Sequence, residues 1–380
     1  MIYKKKLFEL AEKLKWICWS IAVFFYYFQV PFQNQAWLIT TGVAAFLLLN
    51  IKKLMILLNE RFSAVFTYLL LLIFCLISGG YSNYVGNDLS NVVRFFLILS
   101  LIPIIPILAK SDDYNLYKSF CVFSLLKAIM IISIAYIVVS TGTINEMRLW
   151  AQLNGYGDIY SLYNNIPRVQ LKGNALLVVA FMISFVKNRK ITLYNFIILL
   201  AVLLAGNFAF ILGLIVFVLW QYCGWVTLKR MSVRQVIVTI LLFLTMVGFG
   251  QYTILEAGSK DAGDSGSNAT RLAQVEILSD TNPFVGSGLG SIVRNATKMG
   301  RGMDGQYYEI QTMYIFFQVG ILGLLLFYIS MFYVIKKYYS FEGIMLVSIY
   351  LFFSFFNPYC FDSTQMIAMA LFTLIFPSKN

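Results

Sequence analysis

Residues 309–337 read EIQTMYIFFQVGILGLLLFYISMFYVIKK. Glu309 stands at the head, Lys336 and Lys337 close the tail, and nothing between them is charged. As a helix rising 1.5 Å per residue, the uncharged part is about 39 Å long, enough to cross about 30 Å of hydrocarbon. Gly320-Ile321-Leu322-Gly323 interrupts it. Upstream come a polar segment, Asn268-Ala269-Thr270-Arg271, and a short amphipathic run to Ser279. A glycine turn follows, Asn282-Pro283-Phe284-Val285-Gly286-Ser287-Gly288-Leu289-Gly290, then a basic segment with Arg294, Lys298 and Arg301. Charged and flexible residues are thus held against a membrane helix. Chemistry is expected at that boundary, with the other apolar segments forming a wall around it.

The composition agrees with this reading. The chain is 60% hydrophobic and 12% charged, with a mean hydropathy of +0.77, whereas charged residues make up roughly a quarter of a soluble domain. Apolar runs of spanning length recur throughout and do not alternate with the period of two that an outer-membrane barrel requires. The fold class expected is an all-α polytopic membrane protein, a single integral membrane domain over residues 1–380. The net charge of +12 invites a nucleic-acid reading. The lysines and arginines sit in short breaks between apolar runs, which is the positive-inside pattern, so no nucleic-acid partner is implied. Five scattered cysteines show neither a disulfide framework nor metal-ligand spacing. The chain has no histidine, which removes histidine bases, Ser-His-Asp triads and His-based zinc sites together.

About twelve spans can be placed, near 16–32, 36–51, 63–79, 91–109, 119–140, 173–186, 194–206, 208–226, 236–255, 310–335, 344–356 and 365–377. An amphipathic basic lead-in precedes the first, and a tight re-entrant hairpin is expected at Gly206-Asn207. With both termini cytoplasmic, most of the 29 lysines and arginines fall inside, and every short loop obeys the charge rule. The outside then holds Arg94 at a helix mouth, Arg148, Arg168, Lys172, Lys260, Arg271, Arg294, Lys298 and Arg301, while Lys127 lies within a span. Two outside segments are long, 141–172 and 256–309. The first is rich in Tyr, Asn and Trp, which suits sugar recognition, since ring faces cover C–H groups and amides bond hydroxyls. An aromatic belt at the membrane interface is the alternative.

Ionisable groups at a membrane mouth tend to face a wet cavity. Arg168 and Arg271 lie outside against the charge bias, with Arg294 and Arg301 near in sequence. Guanidinium forks pair with phosphate oxygens in bidentate fashion, so such a cluster can hold a pyrophosphate with no metal or other cofactor; snorkelling toward headgroups is the competing account. Glu309, beside Tyr307-Tyr308 and opening an apolar helix, is expected to be partly desolvated, with its pKa raised toward that of a general base. A carboxylate that merely favours a helix N-terminus is the alternative. Asp304 and Glu276 are weaker candidates. Gly286–Gly290 reads as a turn rather than a nucleotide loop, because no βαβ unit surrounds it. Lys127 and Arg94 are expected to pair with the bundle or to snorkel from it.

Together, Arg271, the Asn282–Gly290 turn, a polar residue, an aromatic helix and Gly320-Ile321-Leu322-Gly323 resemble the O-antigen ligase/polymerase superfamily. The likeness covers roughly Arg168–Lys172 and Arg271–Leu325. These are integral membrane glycosyltransferases, GT-C-like in architecture, that act outside the bacterial inner membrane on undecaprenyl-diphosphate-linked glycans. Ligases of the superfamily carry a histidine base eleven residues before the first glycine of the Gly-Ile-x-Gly pair, and here that position is Glu309. The resemblance is therefore to the Wzy-type O-antigen polymerases. It implies pyrophosphate contacts from Arg168 and Arg271, aided by Arg294, and a lipid-linked donor and acceptor in the membrane. It also implies a chain-length regulator protein and a flippase as partners, with the active site periplasmic. One departure is that Gly206-Asn207-Phe208 replaces a Ser-Arg found in many members, so that arginine's role does not transfer. A ligase, or a flippase or transporter using Lys127, are the rival readings.

Overall fold

The computed structural model describes residues 2–29, 36–53, 62–109, 114–162, 166–223, 274–276, 278–279, 281–293, 308, 310–355 and 357–378. Of these, 79% are helical. The departure from an all-α chain is a two-stranded antiparallel hairpin in the first long loop. Among the described residues, four helices are long and apolar enough to cross a membrane: Phe62–Tyr84, Leu89–Leu108, Asn115–Thr141 and Gln311–Tyr338. Shorter apolar helices cover Ala175–Asn188, Leu193–Ala205, Phe208–Gln221, Phe341–Phe355 and Ser363–Ile375. The span expected at 236–255 lies outside the described residues.

The chain divides into two compact units, the first made of Met1–Leu49, Asp112–Ser259 and Met345–Phe353. Its first helix runs unbroken from Ile2 to Tyr27. The basic lead-in and the span expected after it are therefore one element, since neither Pro nor Gly falls between Lys4 and Trp16 to interrupt it. Trp19 donates from Nε1 to the Leu116 carbonyl at 2.9 Å, and the Tyr27 and Ser124 hydroxyls bond at 2.8 Å. Both pairings link residues 97 apart, so this helix and Tyr114–Thr141 run parallel in constant register. Ala175–Asn188 is buried at every position from Ala175 to Val186, as expected of a helix that is apolar all round. The Leu193–Ala205 helix begins with a capping box between Thr192 and Asn195. It ends at Gly206, and Phe208–Cys223 starts two residues on, so the connection where a re-entrant hairpin is expected is a short turn.

The second unit comprises Asn50–Ser111, Lys260–Ile344 and Ser354–Asn380. Its Gln311–Tyr338 helix is broken at Gly320, which has φ 61° and ψ −171°, a conformation essentially closed to residues with a Cβ. A break inside an apolar helix frees carbonyls before it and N–H groups after it, and these must find partners. The glycine turn supplies them. Ser287 and Gly288 donate their backbone N–H groups to the carbonyls of Phe317 and Gln318 at 2.8 and 2.9 Å. In return, Ile321 and Leu322 donate to the carbonyls of Pro283 and Phe284 at 2.8 and 3.1 Å. The Gln318 side chain accepts from Gly290 N at 3.0 Å, and Ser78 Oγ accepts from Leu289 N at 2.9 Å. The turn expected at Gly286–Gly290 is thus a plug in a broken helix.

A Cβ on Gly320 would collide with the Phe284 carbonyl. Gly320→Ala is therefore expected to lose about 2 kcal/mol or more of stability, from backbone strain and displacement of the plug. Gly80→Ala meets nothing within 4 Å and should be neutral or stabilise by about 0.5–1 kcal/mol, since alanine favours the helix. Thermal unfolding of both variants in detergent, beside the parent, checks the contrast.

Candidate functional site

In the first unit the long loop is ordered around Arg168. After the Ile144–Leu153 helix, Gly155 turns the chain and the strands β1 (Gly157–Leu162) and β2 (Ile166–Leu171) pair. Alternation sorts the side chains: Ile159, Val169 and Leu171 are buried, while Asp158, Tyr160, Arg168 and Gln170 share the other face. Tyr160 lies directly across from Arg168. The Arg168 guanidinium sits 5.0 Å from the Tyr160 ring centre, and that of Arg148 sits 5.9 Å from the same ring. Both distances are within cation–π range. Arg148 is held by Asp158 through two bonds, Nε to Oδ1 at 3.0 Å and Nη2 to Oδ2 at 3.3 Å. Such an exposed pair contributes little stability; its effect is to orient Arg148.

Gly206 explains how the Arg168 stem finds room. It caps its helix at φ 58°, and a Cβ there would lie 2.6 Å from Arg168 Cγ. The base of the hairpin is tied to Tyr114–Thr141 by Lys127, a fully buried residue whose Nζ donates to the Lys172 carbonyl at 2.9 Å. Asn174 Nδ2 donates to the Val169 carbonyl at 3.0 Å. Lys127 was expected to pair with the bundle or snorkel from it. It is buried and bonds the loop at the base of the hairpin instead, through the Lys172 carbonyl.

Of the residues expected to carry chemistry, Arg168 and the weaker candidate Glu276 are described: Arg148 shares the aromatic ring of Arg168, and Glu276 is exposed. Arg271, Arg294 and Glu309 lie outside the described residues, as do Arg301 and Asp304. Tyr308 is fully buried and stacks on Tyr314 at 4.2 Å. Burial and the Tyr314 phenol push its own phenol well above the usual range.

The second unit holds a constellation that sequence reasoning missed. Asp362 caps the Ser363–Ile375 helix, with Oδ1 accepting from Gln365 N at 3.1 Å and Oδ2 from Thr364 Oγ1 at 2.7 Å. Burial nevertheless raises its pKa from 3.8 to about 6, against the lowering effect of these bonds and of the Arg94 charge. Phe361, just before it, stands at φ 56°, a strained position for a bulky side chain. Its N–H donates to Gln365 Oε1 at 2.7 Å, and its ring packs on Phe327 at 5.0 Å. Arg94 lies over the Phe95 ring at 5.4 Å, and Phe95 meets Tyr314 edge-on at 5.6 Å. The Tyr314 hydroxyl donates to the Ser291 carbonyl at 2.9 Å, connecting this group to the glycine turn. The hydroxyls of Ser82 and Ser291 are buried with no hydrogen-bond partner among the described residues. Asp362 is the one charged residue between Glu342 and Lys379. That isolation, with a Gln three residues on, was the signal available in the sequence.

The sign of the Asp362 effect can be tested. Below about pH 4 the carboxyl is protonated both folded and unfolded. Between about 4 and 6 the folded chain keeps a proton that the unfolded chain releases, so stability falls as pH rises through this window. Asp362→Asn preserves a good N-cap and should flatten that fall, as thermal midpoints at pH 4 and pH 7 would show. An equal fall in parent and variant would sink the burial account. No protein-family model, curated protein or solved structure matches the chain.

Proposed function

We propose that the chain is a membrane glycosyltransferase of the O-antigen polymerase type, joining undecaprenyl-diphosphate-linked repeat units outside the bacterial inner membrane. The reading takes about twelve spans in a GT-C-like arrangement, both termini cytoplasmic and both long loops periplasmic. The observation that carries it is Arg168, displayed on an ordered hairpin with Arg148 at the same tyrosine ring. Arg168 presents a planar fork of donors that suits the oxygens of a diphosphate, and Arg148 adds a second cation at the same ring. The interlocking of the Asn282–Gly290 turn with the Gly320 break adds support, because those are the segments that carry the family resemblance.

In the proposed reaction the acceptor sugar's hydroxyl attacks the anomeric carbon of the donor in a single displacement. The new glycosidic C–O bond forms as the bond to the diphosphate breaks, and the diphosphate leaves with that electron pair. Arg168, Arg271 and Arg294 stabilise the charge developing on it. Glu309 takes the hydroxyl proton, and configuration inverts. The compartment holds no nucleotide sugar, and the lipid diphosphate supplies activation in its place. Among the alternatives, a flippase would use a mid-span cation facing a wet path, whereas Lys127 is buried against a carbonyl.

Glu309→Gln is expected to abolish polymer while the protein remains in the membrane, read from lipopolysaccharide banding and a membrane immunoblot. Persistence of long chains would remove Glu309 as the base. A deletion strain separates the readings: polymerase loss leaves core plus one unit, ligase loss leaves bare core with lipid-linked polymer, and flippase loss leaves bare core with units retained inside. Arg168→Lys keeps the charge but loses the fork and the ring stacking, and should lower polymerisation by about a hundredfold, measured with purified protein and lipid-linked repeat units.

A further inference from the structure

A groove of about 590 Å³ opens between the polar starts of the first helix and Tyr114–Thr141. Because these helices run parallel, with Trp19 bonded to Leu116 and Tyr27 to Ser124, their hydrophilic beginnings lie at the same end. Lys13 and Trp16 come from the first helix, and Lys118, Ser119, Val122 and Phe123 from the second. The spacings Lys13/Trp16 and Ser119/Val122/Phe123 each put their side chains along one helix face. The groove is therefore graded, with cations and polar groups at its head and aromatic and aliphatic side chains below. Glu12 also lines it, but its carboxylate is occupied by Lys15 at 2.6 Å. Neither Lys13 nor Lys118 has an ion pair among the described residues. Trp16 is 43% exposed, a position where an indole ring sits at the level of lipid headgroups.

We propose that this groove is a binding site for an anionic phospholipid, its phosphate between Lys13 and Lys118 and an acyl chain running over Trp16, Val122 and Phe123. Two ammonium groups with no ion pair among the described residues favour a net negative headgroup over a zwitterionic one. The apolar lower half distinguishes a lipid from a free phosphate, which would gain nothing from it. The site is independent of the residues proposed to carry glycosyl transfer.

Native mass spectrometry of the detergent-purified full chain tests this, titrating phosphatidylglycerol against phosphatidylcholine with the same acyl chains. The parent should retain phosphatidylglycerol more tightly by roughly an order of magnitude. The Lys13→Gln/Lys118→Gln double variant should fall to the phosphatidylcholine level, and Lys13→Arg/Lys118→Arg should keep the preference. Excess inorganic phosphate should not displace the lipid. Equal binding of the two lipids, an unchanged preference in the Gln variant, or displacement by phosphate would each overturn the proposal.

Discussion

In the second unit, a helix that would run unbroken through hydrocarbon is opened at Gly320, and the opening is closed by another part of the same chain. The exchange is reciprocal: two N–H groups of the turn satisfy carbonyls before the break, and two carbonyls of the turn satisfy N–H groups after it. In an apolar environment each unsatisfied backbone group would cost several kcal/mol, so neither partner is stable in this form without the other. Much else in the unit hangs on that exchange. Gln318 and Ser78 hold the end of the turn, Tyr314 is bonded to Ser291 just beyond it, and Phe95 and Tyr308 pack on Tyr314.

The first unit meets a related demand with different means. A buried lysine is costly unless its ammonium is hydrogen-bonded, and Lys127 places its ammonium on the first carbonyl after β2, that of Lys172. A residue that the sequence marks as out of place in a span thus fixes the base of the hairpin. On the hairpin stands Arg168, whose stem fits over Gly206 and whose guanidinium stacks across the strand pair on Tyr160. Position along the strand, the cap of a neighbouring helix and a buried cation together determine where one side chain stands.

Much of the helical architecture was legible because spanning length, charge-free runs and breaks at Gly206 and Gly320 are local signals. The Gly286–Gly290 turn was legible as a turn, but its role was not: docking into a helix break is a long-range pairing that no window of sequence records. The first long loop was read only by its composition, as rich in Tyr, Asn and Trp. Its strands were overlooked because a hairpin of six-residue strands alternates too briefly to stand out against so many tyrosines and asparagines. Arg168 was found through its placement against the charge bias, whereas Arg148 gained its interest only once Tyr160 brought the two together. Asp362 went unnoticed because its burial and the strain at Phe361 arise from tertiary packing, although a lone carboxylate in so long an uncharged stretch was visible.

The parallel pairing of the first helix with Tyr114–Thr141 has a consequence for biosynthesis. Trp19 and Tyr27 each reach a partner 97 residues later in the chain. At ribosomal rates of about 5–20 residues per second, those partners emerge about 5–20 s after the groups that need them. During that interval an indole and a phenol already delivered to the bilayer must rely on water, headgroups or the insertion machinery. The helix Ile2–Tyr27 can pack at once on Ala36–Leu49, where Trp19 meets Phe46 at 5.3 Å, whereas its indole N–H and its phenol are satisfied only when Tyr114–Thr141 follows.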